Sequence, residues 1–211
     1  MPVSGVQNTN FARGLNVDSA ASGAFVSNLN SGNIIVVGIA ATTQDTTDRL
    51  STVADSQINT YTQRASVHRT GASRRQISEI WTAPAQSGAD TVSVSFPATM
   101  QQIGVHVFEI NNATVTNLTV SSGEGTLVDP SASSLSFTGI PFLLAMSAAS
   151  AGLSGGAGFT FTQVGQSFTC SEYNESGVSS PTTFPFTDAS PSDWSEVGMQ
   201  LPSVAAAVAI F

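Results

Sequence analysis

An all-β fold, two packed antiparallel sheets with little or no helix, is predicted by three observations. The segment Gly32-Asn33-Ile34-Ile35-Val36-Val37-Gly38-Ile39-Ala40 is a continuous apolar run dominated by β-branched residues, and Phe142-Leu143-Leu144-Ala145-Met146 is a second continuous apolar run. Apolar runs of this length belong to strands covered on both faces or crossing the thickest part of a core. Around them lie about a dozen short segments with two-residue alternation, punctuated by Gly, Pro, Asn and Ser turns. No window of about 11 residues carries a capped 3.6-residue period, so helix should be scarce. These features predict a jelly-roll-like sandwich, and the lack of a fixed repeat argues against a propeller or solenoid.

The chain of 211 residues fits one domain, because sandwiches commonly run to about 200 residues as a single unit. Residues 1–23 are Asn-, Ser- and Gly-rich with weak alternation and one short strand around Gly14 to Val17, which predicts an N-terminal arm ahead of a sandwich over 24–211. Ala24 to Leu29 alternates, and the turn Asn30-Ser31-Gly32 feeds the central strand. Leu50 to Ala54 and Thr60 to His68 are strands around the turn Asp55-Ser56-Gln57-Ile58-Asn59. Gln76 to Trp81 is another. Thr91 to Phe96 alternates cleanly with Val92, Val94 and Phe96 facing in, and Pro97 is expected to end it. Ile103 to Ile110 follows, then shorter strands at Val115 to Val120 and Ser134 to Phe137. The run from Phe142 is expected to be the central-strand partner of the first. Gly152 to Gly158 imitates a phosphate loop, but no Lys-Ser/Thr ending or helix follows it, so a hairpin connection is expected. Phe159 to Val164, Phe168 to Tyr173, Thr182 to Thr187, Trp194 to Leu201 and Val204 to Phe211 complete the strands.

Composition narrows the partners. Only 9% of residues are charged, and the six basic residues, all arginine, face 14 acids for a net charge of −8. Nucleic-acid binding is not expected of such a surface, because duplex affinity comes from neutralising phosphates. Arg69, Arg74 and Arg75 are the one local basic cluster, expected to be a solvated hairpin end or an intersubunit ion pair. Residues 1–8 carry neither a basic segment nor an apolar one, so no secretory leader is expected. The apolar run Val204 to Phe211 falls far short of the roughly 20 residues a membrane helix needs, and no membrane partner is expected. The sequons at Asn112, Asn117 and Asn174 are then chance matches in a hydroxyl-rich chain. Cys170, the lone cysteine, excludes an internal disulfide and reads as a small buried apolar residue.

Catalytic and metal chemistry finds little support. His68 and His106 are the only histidines, so a three-histidine metal site is excluded, and both are expected at polar strand edges. Asp45, Asp48 and Asp55 lack the glycine and closing glutamate of an EF-hand loop. Glu79 and Glu109 are the one carboxylate pair worth testing against a glycosidase arrangement. Trp81 and Trp194 would serve a glycan as a stacking platform if exposed and coplanar, whereas their positions beside aliphatic residues point to the core. The expectation is no catalytic residue, no metal and no cofactor.

Five landmarks occur in a familiar order: Gly32 to Val37, Asp55-Ser56 through Asn59-Thr60-Tyr61-Thr62, Glu79-Ile80-Trp81-Thr82-Ala83, Asp90 to Val94, and Asp193-Trp194-Ser195-Glu196-Val197-Gly198. Over roughly residues 25–211 this resembles a β-sandwich module of bacteriophage structural proteins and bacterial surface proteins, departing from it in placing Ile58 where a glycine usually precedes Asn59. The matching positions are turns and core aromatics, so the resemblance implies a fold and no activity. Taken with the single sandwich, the hydroxyl-rich, low-charge surface and the lack of an expected secretory leader, it leads to the expectation of a non-enzymatic virion subunit assembled in the host cytoplasm, a capsid decoration, cement or fibre protein. Its partners would be itself, a trimer first because closed symmetry avoids open-ended association, and the major capsid or other virion proteins. Phe11, Leu15 and Val17 would anchor the arm on a neighbour. The alternative is a carbohydrate-binding or adhesive module that meets a host-surface glycan through Trp81 and Trp194.

Overall fold

The structure is a computed structural model that describes residues 3–44, 50–70, 74–126, 142–149, 152–155, 158–164, 169–174, 186–188 and 193–204, with the side chains of 14–18, 172, 187 and 188 outside that description. The predicted strand at Ser134 to Phe137, most of that at Val204 to Phe211, and the acidic residues Asp45 and Asp48 also lie outside it. Among the described residues there is no helix, and so none long and apolar enough to cross a membrane.

The described strands are β1 (Ser4–Ala24), β2 (Ile34–Thr43), β3 (Thr52–Asp55), β4 (Thr62–Thr70), β5 (Arg75–Pro84), β6 (Thr91–Asn111), β7 (Thr119–Gly125), β8 (Phe142–Ala149), β9 (Leu153–Ser154), β10 (Thr160–Gln163), β11 (Thr169–Asn174), β12 (Thr187–Asp188) and β13 (Trp194–Leu201). One sheet runs β1-β6-β2-β5-β4 with β3 also on β6, a second runs β10-β11-β8-β13-β7, and β9 and β12 form a small ribbon. Every pairing is antiparallel, so the chain is the predicted β-sandwich.

Both apolar runs are central strands, β2 of one sheet and β8 of the other, and they meet across the sandwich rather than side by side. Between the sheets Ile34, Val36 and Ala40 pack with Ile80, Phe108 and Ile110 against Phe142, Leu144, Met146, Val197 and Met199. Gly38 lets the layers close: a Cβ there would sit 2.4 Å from Met146 Sδ.

The opposite faces are buried too, which is why neither run alternates. Ile35, Val37 and Ile39 pack against Val92, Val94 and Phe96 from the first part of β6, so the β1–β6 ribbon folds back over its own sheet. Behind β8, Leu143, Ala145 and Cys170 are covered by Leu153, Phe186 and Trp194. The Gly152 to Gly158 segment is therefore not a simple hairpin link. Part of it, β9, pairs with β12.

Pro97 does not end a strand, contrary to the expectation from sequence: β6 runs through it. Its missing N–H costs no ladder bond, because β3 pairs with residues 92–95 and β2 only with residues 102–110, while β1 shifts register between Gly14 and Ala20. The proline thus marks the bend where the ribbon turns over.

The N-terminal residues are not a separate arm either. Residues 4–24 form β1, paired with β6 along nearly the whole of its 21 residues. Alternation was weak because an edge strand buries only one side poorly: Ser4, Asn8, Asn10 and Ser22 are exposed, and the intervening Gln7, Thr9 and Phe11 are only half-buried.

The turn after β3 keeps a tight geometry despite Ile58, which takes a left-handed φ of 60° and is 87% exposed. Asp55 imposes it by accepting the Gln57 N–H at 3.1 Å and the Asn59 N–H at 2.9 Å. A β-branched residue is strained there, so Ile58→Gly is expected to stabilise the protein by up to about 1 kcal/mol, read as a raised denaturant midpoint. A lowered midpoint would show that the turn does not carry this strain.

Candidate functional site

The two glutamates considered for catalysis are both fully buried on the outer face of the first sheet. Glu79 lies opposite Ile39 and Glu109 opposite Ile35, on strands either side of β2. Two strand spacings and four residues along β2 put their Cα atoms about 16 Å apart, and the two carboxyls accept from separate sets of side chains rather than facing each other across one cleft as a glycosidase pair does.

Each carboxyl is also occupied by the chain itself. Glu79 accepts from Ser51 Oγ, from Trp81 Nε1 at 2.8 Å and from His68 Nε2 at 2.9 Å. Burial pushes its pKa up, but the bonds from His68, Ser51 and Trp81 outweigh that and hold it below the ordinary glutamate value. Ser66 Oγ lies 3.0 Å from His68 Nε2, the same nitrogen that meets Glu79. A serine relay needs the nucleophile and the acid on opposite imidazole nitrogens, so Ser66, His68 and Glu79 do not form one in this arrangement. Glu109 accepts from Gln7 Nε2, the Asn30 N–H and Asn33 Nδ2, each at 2.7 Å, and ties β1 and the turn before β2 to β6.

His106 is in the interior, not at a strand edge. Only 1% exposed, it joins three strands: Nδ1 meets Ser171 Oγ of β11 at 2.7 Å and Nε2 meets Asn8 Oδ1 of β1 at 3.2 Å. An amide oxygen only accepts, so Nε2 carries the proton and Nδ1 accepts from the serine hydroxyl. Burial drives the imidazole pKa down to about 3. An unfolded chain protonates this histidine near pH 6.5 and the folded chain does not, so stability present above about pH 6.5 is lost as the pH falls toward about 3, at up to about 1.4 kcal/mol per unit. In urea titrations at about pH 7.5 and about pH 5, His106→Gln is expected to lose less stability on acidification than the parent. Equal losses would contradict a neutral buried imidazole.

The remaining expected site residues are dispersed. Trp194 is 5% exposed and sits in the cluster behind β8, its ring against Gly125, while Trp81 packs half-buried on the outer face of the other sheet. The two indoles thus lie on opposite sides of the sandwich and form no stacking platform. Asp55 is engaged within its own turn, and among the described residues no group of three His, Cys, Asp or Glu side chains could hold a metal ion. Arg69 pairs with Asp193 of its own chain at 3.1 Å, joining the two sheets, in place of the solvated or intersubunit role expected. Phe11 is half-buried against the core of its own sheet, so it is not free to anchor the chain on a neighbour. The side chains of Leu15 and Val17 lie outside the description.

What the fold does present is an edge. β1 ends the order of its sheet, and no described strand pairs beyond it. From Ser4 to Ala12 it carries no charge and no proline, and Val6 is 44% exposed. These are the devices that normally block edge-to-edge pairing, and they are missing. The opposite edge, β4, carries Arg64, His68 and Arg69, with Arg69 closing toward Glu124 and Asp193. The edge strand β10 has only four residues. The candidate functional site is therefore the outer edge of β1. Sequence reasoning identified these residues as an attachment element but did not foresee their pairing with β6, because nothing local reveals a partner strand 67 to 107 residues away. In comparisons with known proteins, no family model, no curated protein and no solved structure matches the chain.

Proposed function

We propose that this protein is a non-enzymatic structural subunit of a bacteriophage virion, a capsid decoration, cement or fibre protein, that assembles through the outer edge of β1. The long, uncharged edge on a doubly covered sandwich is the observation that carries this reading. A neighbouring strand added there gains a ladder of backbone hydrogen bonds without desolvating charges. The order of motifs from Gly32 to Gly198, which resembles that of phage structural modules, supports the same reading, as does a surface solubilised by hydroxyls and amides with few charges. The partners are further copies of the chain and the major capsid protein, with a trimer the first expectation. Quantitative mass spectrometry of purified particles of the encoding virus should find the chain at a fixed ratio to the major capsid protein. Its presence in the infected cell but not in particles would overturn the assignment.

A further inference from the structure

Asp55 closes β3 and Asp90 precedes β6, and their carboxyl groups meet where the strap of residues 50–61 is fastened to the sheet. Asp55 is filled. Oδ1 accepts two backbone N–H groups of the turn, and Oδ2 accepts from Asn59 Nδ2 at 2.8 Å and from the Tyr61 hydroxyl at 2.7 Å. Asp90 is not: the residue is 3% exposed, its Oδ1 accepts the N–H and hydroxyl of Ser56 at 3.2 and 3.0 Å, and its buried Oδ2 meets no donor. A lone buried carboxylate oxygen beside a second carboxylate is costly twice over, through desolvation and through like-charge repulsion. One proton on Oδ2 removes both costs by making a hydrogen bond to Asp55.

We propose that Asp55 and Asp90 hold a single proton between them as a latch on the strap, and that losing it toward alkaline pH loosens residues 50–61. The electrostatics agree in direction. Burial and the neighbouring Asp55 charge push Asp90 above the ordinary carboxyl range, whereas the bonds from Tyr61 and Asn59 outweigh burial and draw Asp55 below it. Tyr61 is the other titratable group facing the pair among the described residues. Burial and the two aspartates raise its phenol, so it stays a donor. The segment 25–29, whose Phe25 N–H bonds the Asp90 carbonyl, and the end of β1 at residues 20–24 bring no titratable side chain to the site. The sign follows from linkage: the folded state keeps a proton that the unfolded chain releases near pH 4, so this contribution is complete below that pH and fades as the pH rises through the raised value.

Asp90→Asn tests it, because the amide N–H donates to Asp55 at every pH. The thermal midpoint of the variant should equal or fall below the parent's at about pH 4 and exceed it by several degrees at about pH 8, with slower amide exchange over residues 50–61 at the higher pH. A gap that does not change with pH, or a less stable variant at about pH 8, would overturn the proposal. Carboxyl carbon shifts in the parent should show one aspartate titrating above the ordinary range and one below. Two ordinary titrations would count against it. So would a midpoint raised by calcium chloride at about pH 8 in the parent and not in the variant, which would put a cation where the proton is placed.

Discussion

Deletion of residues 1–23 is expected to unfold the protein rather than to trim an appendage. β1 covers β6 from Thr91 to Asn111, and its side chains reach inward at several points. Gln7 fills Glu109, Asn8 bonds His106, and Ala21 is buried. The Phe11 ring lies so tightly over Gly23 that a Cβ on Gly23 would come within 2.2 Å of it. Removing the strand strips β6 of one ladder, opens the first core cluster and leaves two buried polar groups short of partners. The summed loss is comparable with the whole stability of a domain, about 5–15 kcal/mol. Far-ultraviolet circular dichroism through a thermal ramp should show no cooperative transition for the truncated chain. A sharp transition at the parent's midpoint would mean that β1 is dispensable after all.

Glu109→Ala should be the most damaging single truncation on this face. The carboxyl is fully buried and gathers donors from three places, Gln7 on β1 and Asn30 and Asn33 in the turn before β2. Alanine leaves the Asn30 N–H and the buried Asn33 amide without their acceptor and opens a void among fully packed neighbours. Unsatisfied donors and lost charge-assisted bonds together give a cost on the order of 3–5 kcal/mol. Glu109→Gln, which keeps an acceptor oxygen and the volume, should recover part of it. Urea unfolding of the three proteins measures the series. An alanine variant within about 1 kcal/mol of the parent would show that these bonds merely replace equally good ones to water.

The parts of this fold legible in the sequence are those where one residue type meets one environment. β2 and β8 announced themselves because both faces of each are covered, and β6 alternated in its first half because Ser93 and Ser95 face outward while Val92 and Val94 face in. The turn at Asp55 was legible from its Asx chemistry, although Ile58 conceals it at the one position where glycine would be expected. Two features were hidden for physical reasons. Proline normally stops a strand, and the gap in pairing that tolerates Pro97 is a property of three other segments. The polar clusters at Glu109, Glu79 and His106 join residues far apart in the chain, as with Gln7 and Glu109, so no local pattern of residues marks them. The same holds for Asp55 and Asp90, each of which reads in sequence as an ordinary turn residue.

The assembly claim is tested most directly by native mass spectrometry of the purified intact chain beside a Val6→Lys/Asn10→Lys variant. Both positions are exposed on β1, so lysines there leave the core untouched while placing charges along the open edge. The account expects a homo-oligomer for the parent at micromolar concentration and a monomer with an unchanged thermal midpoint for the variant. A monomeric parent, or a variant that assembles as the parent does, would contradict it.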